Sequence, residues 1–379
     1  MRPLCPRMSS QGNGDSHHRN PDPKMRKTVA VALSGGLDSA VAAAFLKKEN
    51  YQVIGVYFQT GYEFSPANSG TGKGVTCGKT LAEQVAEQIG IPLEVFDCSR
   101  HFRREVVDYF IDTYHSGQTP NPCVVCNKRI KFGYVMEKAM ALGASALATG
   151  HYCRIKRKAN GEFWLLKGID PAKDQSYFLA RLGQDQLSHA LFPLGDYTKN
   201  QVREMAKTWG FRSLMKKESQ QLCFIRHESY KDFLSRRMQS QGTAGPIVNT
   251  RGEVLGRHHG LHTYTIGQRR GIGIPGPQPY YVIRLDMSGN RLVIGFRDEL
   301  AATECEVKSI NWTTIRTPDE PISARTRIRY RHKEADSIIT PAGRKTAIVR
   351  FSEPQYAITP GQAAVFYQGD RVLGGGWIA

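Results

Sequence analysis

The chain has 379 residues, with 52 Lys and Arg against 34 Asp and Glu for a net charge of +18, and is 40% hydrophobic. It is too long for one simple core, so two or three domains are expected, and no apolar run approaches the ~20 residues that cross a bilayer. The basic excess points to a polyanionic partner such as nucleic acid, because phosphates are met by Lys and Arg. Eight cysteines (5, 77, 98, 123, 126, 153, 223 and 305) are scattered without a signal peptide, which argues against a disulfide scaffold and for reduced, reactive or metal-bound thiols.

Residues 1–24 are polar, carry Pro, Gly, Ser, Asn and His, and are expected to form a disordered tail, with Met25 as an alternative start. The first folded unit is placed at 25–226. Thr28 to Leu33 is a compact apolar run with β-branched members, as a buried parallel strand requires. Ser34-Gly-Gly-Leu-Asp-Ser39 follows, and then a helix rich in alanine. Strand, glycine turn and helix aim backbone N–H groups and the positive end of a helix dipole at an anion. Gly35 and Gly36 allow close approach to a phosphate, Ser34 and Ser39 add hydroxyls, and Asp38 suits a Mg²⁺ contact or a helix cap. The string resembles the pyrophosphate-binding loop of the N-type ATP pyrophosphatases (the PP-loop), and that resemblance implies adenylation of a substrate. Gly74 to Thr80 imitates a Walker loop, but it is one spacer short and no strand precedes it.

Further strands are expected at 52–58, 92–97 and 144–149, and helices at 81–89, 101–115, 127–142, 174–190 and 198–209, with a Gly/Ser/Asn loop at 59–76. Regular alternation predicts an α/β doubly wound parallel sheet with ligands at the strand ends, where Ser34, Phe58, Asp97 and Gly150-His151 fall. After Cys223 the texture becomes short alternating segments. They comprise a hairpin turning at 249–252 and strands at 281–285, 291–296, 325–332, 346–351 and 363–367. A small mainly-β central domain at 227–300 and a C-terminal β-barrel at 301–379 are expected.

Thr119-Pro-Asn-Pro-Cys-Val-Val-Cys126-Asn-Lys is the second informative stretch. Its prolines pin an extended backbone, and a following helix puts Cys126 near a helix N-terminus beside Lys128, Arg129 and Lys131, which favours a thiolate. A redox pair, half a zinc site and buried structural cysteines are the competing readings. Cys223, set among Leu222, Phe224 and Ile225, reads by itself as core.

Taken in order, Ser34–Ser39, Thr119-Pro-Asn-Pro with Cys126-Asn-Lys, Ala148-Thr-Gly-His151, Lys173-Asp-Gln-Ser-Tyr-Phe-Leu179, Cys223-Phe-Ile, Thr359-Pro-Gly-Gln362 and Leu373-Gly-Gly-Gly376 resemble the tRNA-specific 2-thiouridylases. The match runs from about residue 28 to the C-terminus. The resemblance implies a bacterial cytoplasmic enzyme that uses ATP and Mg²⁺ to adenylate O2 of a wobble uridine and then thiolates C2. It implies ATP binding by Ala32, Leu33, Ser34, Gly35, Gly36, Leu37, Asp38 and Ser39, with Phe58 and Gly150 at the adenosine end. Cys223 would carry a persulfide supplied by a cysteine desulfurase or sulfur-relay protein, and Cys126 would be its catalytic partner, the two forming a transient disulfide. Asn121, Pro122 and Cys123 would lie at the target base, while His151, Lys173, Asp174, Gln175, Arg329, Tyr330 and Gln362 would touch tRNA.

Cys123 stands where relatives often have Asp, so an iron–sulfur cluster on Cys123, Cys126 and Cys223 is a rival to the persulfide. A PP-loop small-molecule synthetase would leave Cys126 and Cys223 without a role, and a non-catalytic RNA-binding module would leave Asp38 and both thiols unexplained. Arg325, Arg327, Arg329 and Arg331 alternate, and as one strand they would form a basic face with a spacing of roughly 6.6 Å, near that of nucleic-acid phosphates. Gly267-Gln-Arg-Arg-Gly-Ile-Gly273 is a second basic loop.

Overall fold

The computed structural model describes residues 27–63, 78–215, 222–225, 228–237 and 243–379. The expected tail at 1–24, most of the Gly/Ser/Asn loop and the run just before Leu222 lie outside the described residues.

Thr28–Ala32 (β1) is apolar on both faces because it becomes the central strand of a parallel sheet. The sheet order is Leu93–Asp97 (β3), Gln52–Gln59 (β2), β1, Ala146–Ala148 (β4) and Ala190–Leu191 (β7). The chain runs outward from β1 through β2 and β3, then returns to its other side for β4. The strand order therefore reverses between β1 and β4, and a crevice opens beyond their C-terminal ends. Leu37–Lys48 (α1), Gly78–Ile89 (α2) and Lys199–Thr208 (α9) share a core on one face with Val29 and Val31. On the other face, Ala30 and Ala32 meet two broken helices. The first comprises Ser99–Phe102 (α3), a π-pitch stretch at Arg103–Asp108 and Tyr109–His115 (α4). The second comprises Pro122–Cys126 (α5), a π-pitch stretch at Asn127–Val135 and Met136–Ala141 (α6). The Gln186 amide donates to the carbonyls of Lys128 (2.9 Å) and Phe132 (2.6 Å), so it satisfies groups that the wider π turn frees.

The expected long helix at 174–190 is two short ones, Ser176–Leu179 (α7) and Gln184–Ser188 (α8), followed by β7. Asp174 accepts from Ser176 N and Gly168 N and fixes a turn at the start, while Gly183, in extended backbone, caps α8 and breaks the run. A hairpin that periodicity did not reveal, Cys153–Arg157 (β5) and Phe163–Lys167 (β6), leaves the first sheet altogether.

Beyond Tyr230–Arg237 (α10), Gly245–Asn249 (β8) and Val254–His258 (β9) form the expected hairpin, in which Gly252 N donates to the Asn249 carbonyl. They complete a four-stranded sheet with Tyr281–Asp286 (β10) and Arg291–Gly295 (β11). The last unit is a closed antiparallel barrel. Its strands are Ala301–Asn311 (β12), Thr346–Tyr356 (β15), Ala335–Gly343 (β14), Ile322–Arg327 (β13), Ala363–Gln368 (β16) and Arg371–Ile378 (β17), and β17 pairs back to β12. Hairpin β5–β6 joins this barrel through the pair Arg371 and Leu166.

The supposed arginine face is not one strand, because β13 stops at Arg327 and leaves Arg329 and Arg331 in the turn that follows. Two of its members are also neutralised by acids, Asp336 and Glu334 from just downstream and Asp174 from the first unit. Arg325 pairs with Asp336 across the ladder, and Arg327 reaches Asp174 (3.1 Å) and Glu334 (2.8 Å). Glu334 also takes Lys167 at 2.7 Å. Asp174 is only 4% exposed, so this cluster is a buried ionic rivet between the barrel and the first unit. Removing one partner strands the others without compensation. Asp174→Ala is expected to lower unfolding free energy by about 3–5 kcal/mol, read from the urea midpoint, with little change at Arg325→Ala on the exposed strand.

Candidate active site

The turn after β1 is built by its glycines. Gly35 has φ +74°, and a Cβ there would lie 2.6 Å from Leu81 Cβ and 2.9 Å from the Gly78 carbonyl. Gly36 is the N-cap of α1 and is exposed, and no side chain caps that helix end. Ser39 Oγ donates to the Gly36 carbonyl (2.9 Å) and accepts from Ser34 N (3.2 Å), which draws Ser34 and Ser39 around the turn. Gly150, two residues past β4, lies against the first turn of α1: a Cβ would meet Asp38 C at 2.8 Å and Ser39 N at 2.9 Å. Ala32, Leu33 and Leu37 are buried and support the turn from below, and Phe58 sits half-buried near the end of β2. The uncapped N–H groups therefore face the crevice at the strand switch, a ready seat for phosphates.

Asp38 neither caps the helix nor stands open to a metal. Lys199 Nζ lies 2.7 and 2.8 Å from its two oxygens, and the Tyr152 hydroxyl donates to Oδ1 at 2.8 Å. Lys199 opens α9 and is almost fully buried; its own N–H donates to Asp170 at 2.9 Å. With both carboxylate oxygens engaged, the residues present do not fit a Mg²⁺ ligand at Asp38. Neither Lys199 nor Tyr152 was reached by sequence reasoning. The Thr198–Gln201 capping box marked a helix start, but nothing marked its neighbour as the partner of a carboxylate 161 residues away.

Two of the thiols, Cys123 and Cys126, sit on α5, and Cys223 lies in a turn. Asn121 is the N-cap and Pro122 the first residue of α5, so the helix begins five residues before the expected 127 and Cys126 falls in its second turn. Cys123 opens to solvent, Cys126 is partly buried and Cys223 is exposed; none of the three is in a disulfide. Phe224 and Ile225 take the core places expected of their neighbour, Phe224 packing edge-on to Phe102, Phe110 and Phe233, and this leaves Cys223 outside. Burial pushes the Cys126 thiol up to about 12; Lys131 opposes the shift, while Cys223, Cys123 and Cys98 add to it. Cys123 is raised to about 11 by crowding on its inner side, with Cys223 adding and Lys131 opposing, and its open side screens that shift more. The expected thiolate at Cys126 is thus overturned: desolvation outweighs the nearby cations. The mutual influence does put Cys223 within electrostatic reach of both others. Among the described residues no three His, Cys, Asp or Glu side chains are placed to hold a metal ion, so the three thiols as arranged do not fit an iron–sulfur cluster.

Other expected contact residues turn out to hold the frame. His151 is buried, hydrogen-bonded through Nδ1 to Thr149 Oγ1 (2.7 Å) and packed on Phe132 and Phe192. Burial holds its imidazole well below the usual range, with Lys131 adding, so it is neutral. Asp174 belongs to the ionic rivet, and Gln175 Oε1 accepts from Tyr152 N (3.0 Å). Lys173 is half-buried beside them. Gln362 donates to the carbonyls of Thr119 (3.1 Å) and Pro120 (2.9 Å), and Pro360 O accepts from Thr119 N (2.9 Å). Asn121 donates to the Tyr177 hydroxyl, which itself donates to Ala363 O. Tyr330 stacks on Phe178 at 4.3 Å, and Arg329, exposed, donates to Tyr356 O. Lys131 ties the halves of the site together, since its charge acts on Cys123, Cys126 and His151, the neighbour of Gly150.

Three family models match in succession: a tRNA methyl transferase HUP domain over residues 27–227, a tRNA methyl transferase PRC-barrel domain over 231–296 and an aminomethyltransferase β-barrel domain over 302–378. The tRNA-specific 2-thiouridylase MnmA of Geobacter metallireducens is 46% identical over 94% of this chain and 97% of its own. Its counterpart in Desulfosudis oleivorans is 47% identical over 92% and 94%. A solved 4-thiouridine synthetase–RNA complex with bound ATP matches at 18% identity over 50% of this chain and 42% of that one, with a TM-score of 0.33, a likeness too weak to bear on function. The relatives cover nearly the whole chain and the three family models follow one another along it: the chain belongs to the tRNA-specific 2-thiouridylase family.

Proposed function

We propose that this chain is an ATP-dependent tRNA sulfurtransferase that makes 2-thiouridine at the wobble position. The observation that carries the reading is that Cys126 and Cys223, far apart in sequence, come within electrostatic reach of each other in a chain that 2-thiouridylases match over nearly its whole length. A small-molecule synthetase would need the turn but not the thiols. The methyl transferase wording of two family models is at odds with the names of the relatives, and the closeness of the Cys126 and Cys223 thiols supports thiolation. We read residues 25–226 as the catalytic unit, 227–300 as the central tRNA-binding unit and 301–379 as the barrel, a division the matched spans support. Among the described residues no helix is long and apolar enough to cross a membrane, and we place the enzyme in the cytoplasm.

The backbone N–H groups at residues 34–39 receive the phosphates of ATP, with Phe58 and Gly150 toward the adenosine. Mg²⁺ would neutralise those phosphates, and no residue here is assigned to it. Attack of uridine O2 on the α-phosphorus expels pyrophosphate and leaves C2 bearing AMP as leaving group. Asp38 holds Lys199 at the helix end, where its ammonium meets the developing phosphate charge. A donor such as a cysteine desulfurase or relay protein loads exposed Cys223 as a persulfide. Its outer sulfur attacks C2 and AMP departs; Cys126 then attacks the Cys223 sulfur, releases the thiolated base and closes a Cys126–Cys223 disulfide that an external thiol reduces. Lys131 favours the Cys126 thiolate in that step. The framing roles of His151, Asp174, Gln175 and Gln362 lead us to assign them to holding the site that tRNA meets. Lys173, Arg329, Tyr330, Asn121, Pro122 and Cys123 remain proposed RNA or base contacts.

Three outcomes test this reading. Cys223→Ser should still transfer AMP to tRNA but form no thiouridine, and thiouridine at the wild-type level by nucleoside mass spectrometry would refute the sulfur role. Asp38→Ala should slow tRNA-dependent AMP release by about 100-fold, and normal release would remove the carboxylate from the reaction. Because burial raises the Cys126 thiol, iodoacetamide should label it at pH 8 roughly 100-fold more slowly than free cysteine, accelerating as pH rises. Fast labelling at pH 7 would mean a standing thiolate.

A further inference from the structure

Behind the thiol helix, on the side of Val124 and Val125, lies a cleft of about 470 Å³ between the first unit and the barrel. Both π-pitch stretches line it, with Arg104 and Glu105 from one and Lys128 and Arg129 from the other; Arg181 and the barrel's Trp377 complete the walls. Four cations and two carboxylates, Glu105 and Asp112, face this space. Glu105 is already shared by Arg104 (2.8 Å) and Arg129 (3.8 Å). No carboxylate lies within ion-pair distance of Lys128 or Arg181 among the described residues.

Arg181 is held ready. Its guanidinium stacks on Trp377 at 4.7 Å, and one terminal nitrogen donates to the Ser309 carbonyl at 3.1 Å, while its buried Nε has no partner. Ser309 sits at φ +51°, inside an irregularity of β12 that turns its carbonyl to this job. Desolvation lowers Lys128 to about 8, with Arg181, Arg129 and Lys345 adding to the shift. Packed cations without counter-charge are costly unless a ligand supplies it.

We propose that Lys128, Arg129 and Arg181 form a phosphate-binding site separate from the nucleotide crevice. It takes either a backbone phosphodiester of the tRNA or a free anion such as pyrophosphate. The RNA source rests on the function proposed above; the anion site itself does not. A phosphate seated there would accept from the terminal nitrogens of Arg181 and neutralise Lys128. Bound RNA would also press on Val124 and Val125, one residue from Cys126.

The test measures tRNA binding by filter retention between 50 and 200 mM salt (roughly the range over which counterion release is read), and pyrophosphate binding by calorimetry with the nucleotide crevice filled by a non-hydrolysable ATP analogue. Wild type is compared with Lys128→Gln and, separately, Arg181→Gln, because the second could loosen its contact with the barrel. Each variant should weaken tRNA binding roughly fivefold to tenfold and reduce the salt slope by about one, without altering ATP binding in the absence of tRNA. Loss of pyrophosphate binding alone, with tRNA binding intact, would support the anion site and assign it to the free ion. Wild-type binding of both ligands by both variants would overturn the proposal. Thiouridine formation is not a readout, so failure of the sulfur chemistry would leave this result standing.

Discussion

The clasp between the barrel and Thr119-Pro120 governs the geometry of the site. Pro360 and Gln362 bind the backbone of that segment, and Gly361, at φ +86°, comes so close that a Cβ would sit 2.8 Å from the Thr119 carbonyl. Glycine is required there both for conformation and for contact. The clasp fixes Asn121 as N-cap, hence the start of α5 and the height of Cys126 in the sheet's crevice. The ionic rivet at Asp174 and Arg327 secures the same two bodies a short way off. The barrel is therefore part of the catalytic scaffold and not a detached RNA-binding appendage.

The nucleotide half of the site is governed by close packing of small residues. Alanines along α1 are buried on all sides, which lets the helix lie tight against β1 and brings Gly150 against its first turn. That tightness leaves room for a phosphate only at the exposed Gly36 end. Asp38 and Lys199 then join two helix beginnings, α1 and α9, across the mouth of the crevice. In the reaction proposed above, the same ion pair that joins these helices places a cation where charge builds during adenylation.

What could be read from sequence was whatever short-range pattern fully specifies. The glycine turn after β1 is such a case, because strand, Gly-Gly and helix are contiguous and only one backbone path serves them. The β8–β9 hairpin is another, with its turn residues in place. Properties that depend on distant partners were lost. Arg327 looked like part of a bare basic face because Asp174 comes from 153 residues away, and because the turn that brings Glu334 and Asp336 back onto the strand is not written in the alternation. Cys223 looked like core because its apolar neighbours are core, and the chain turns between them. Cys126 looked reactive because sequence counts neighbouring charges and cannot count desolvation. The two π-pitch stretches carry no sequence signal that separates them from ordinary helix.

The shielding of Cys126 has a consequence for an enzyme that handles sulfane sulfur. Peroxide attacks thiolates, and a sulfur kept protonated resists the climb to sulfenic and sulfinic acids. In the cycle proposed above an external thiol returns both sulfurs to the reduced state, but no thiol reverses a sulfinic acid. A Cys126 sulfur held protonated at rest is guarded against that irreversible step.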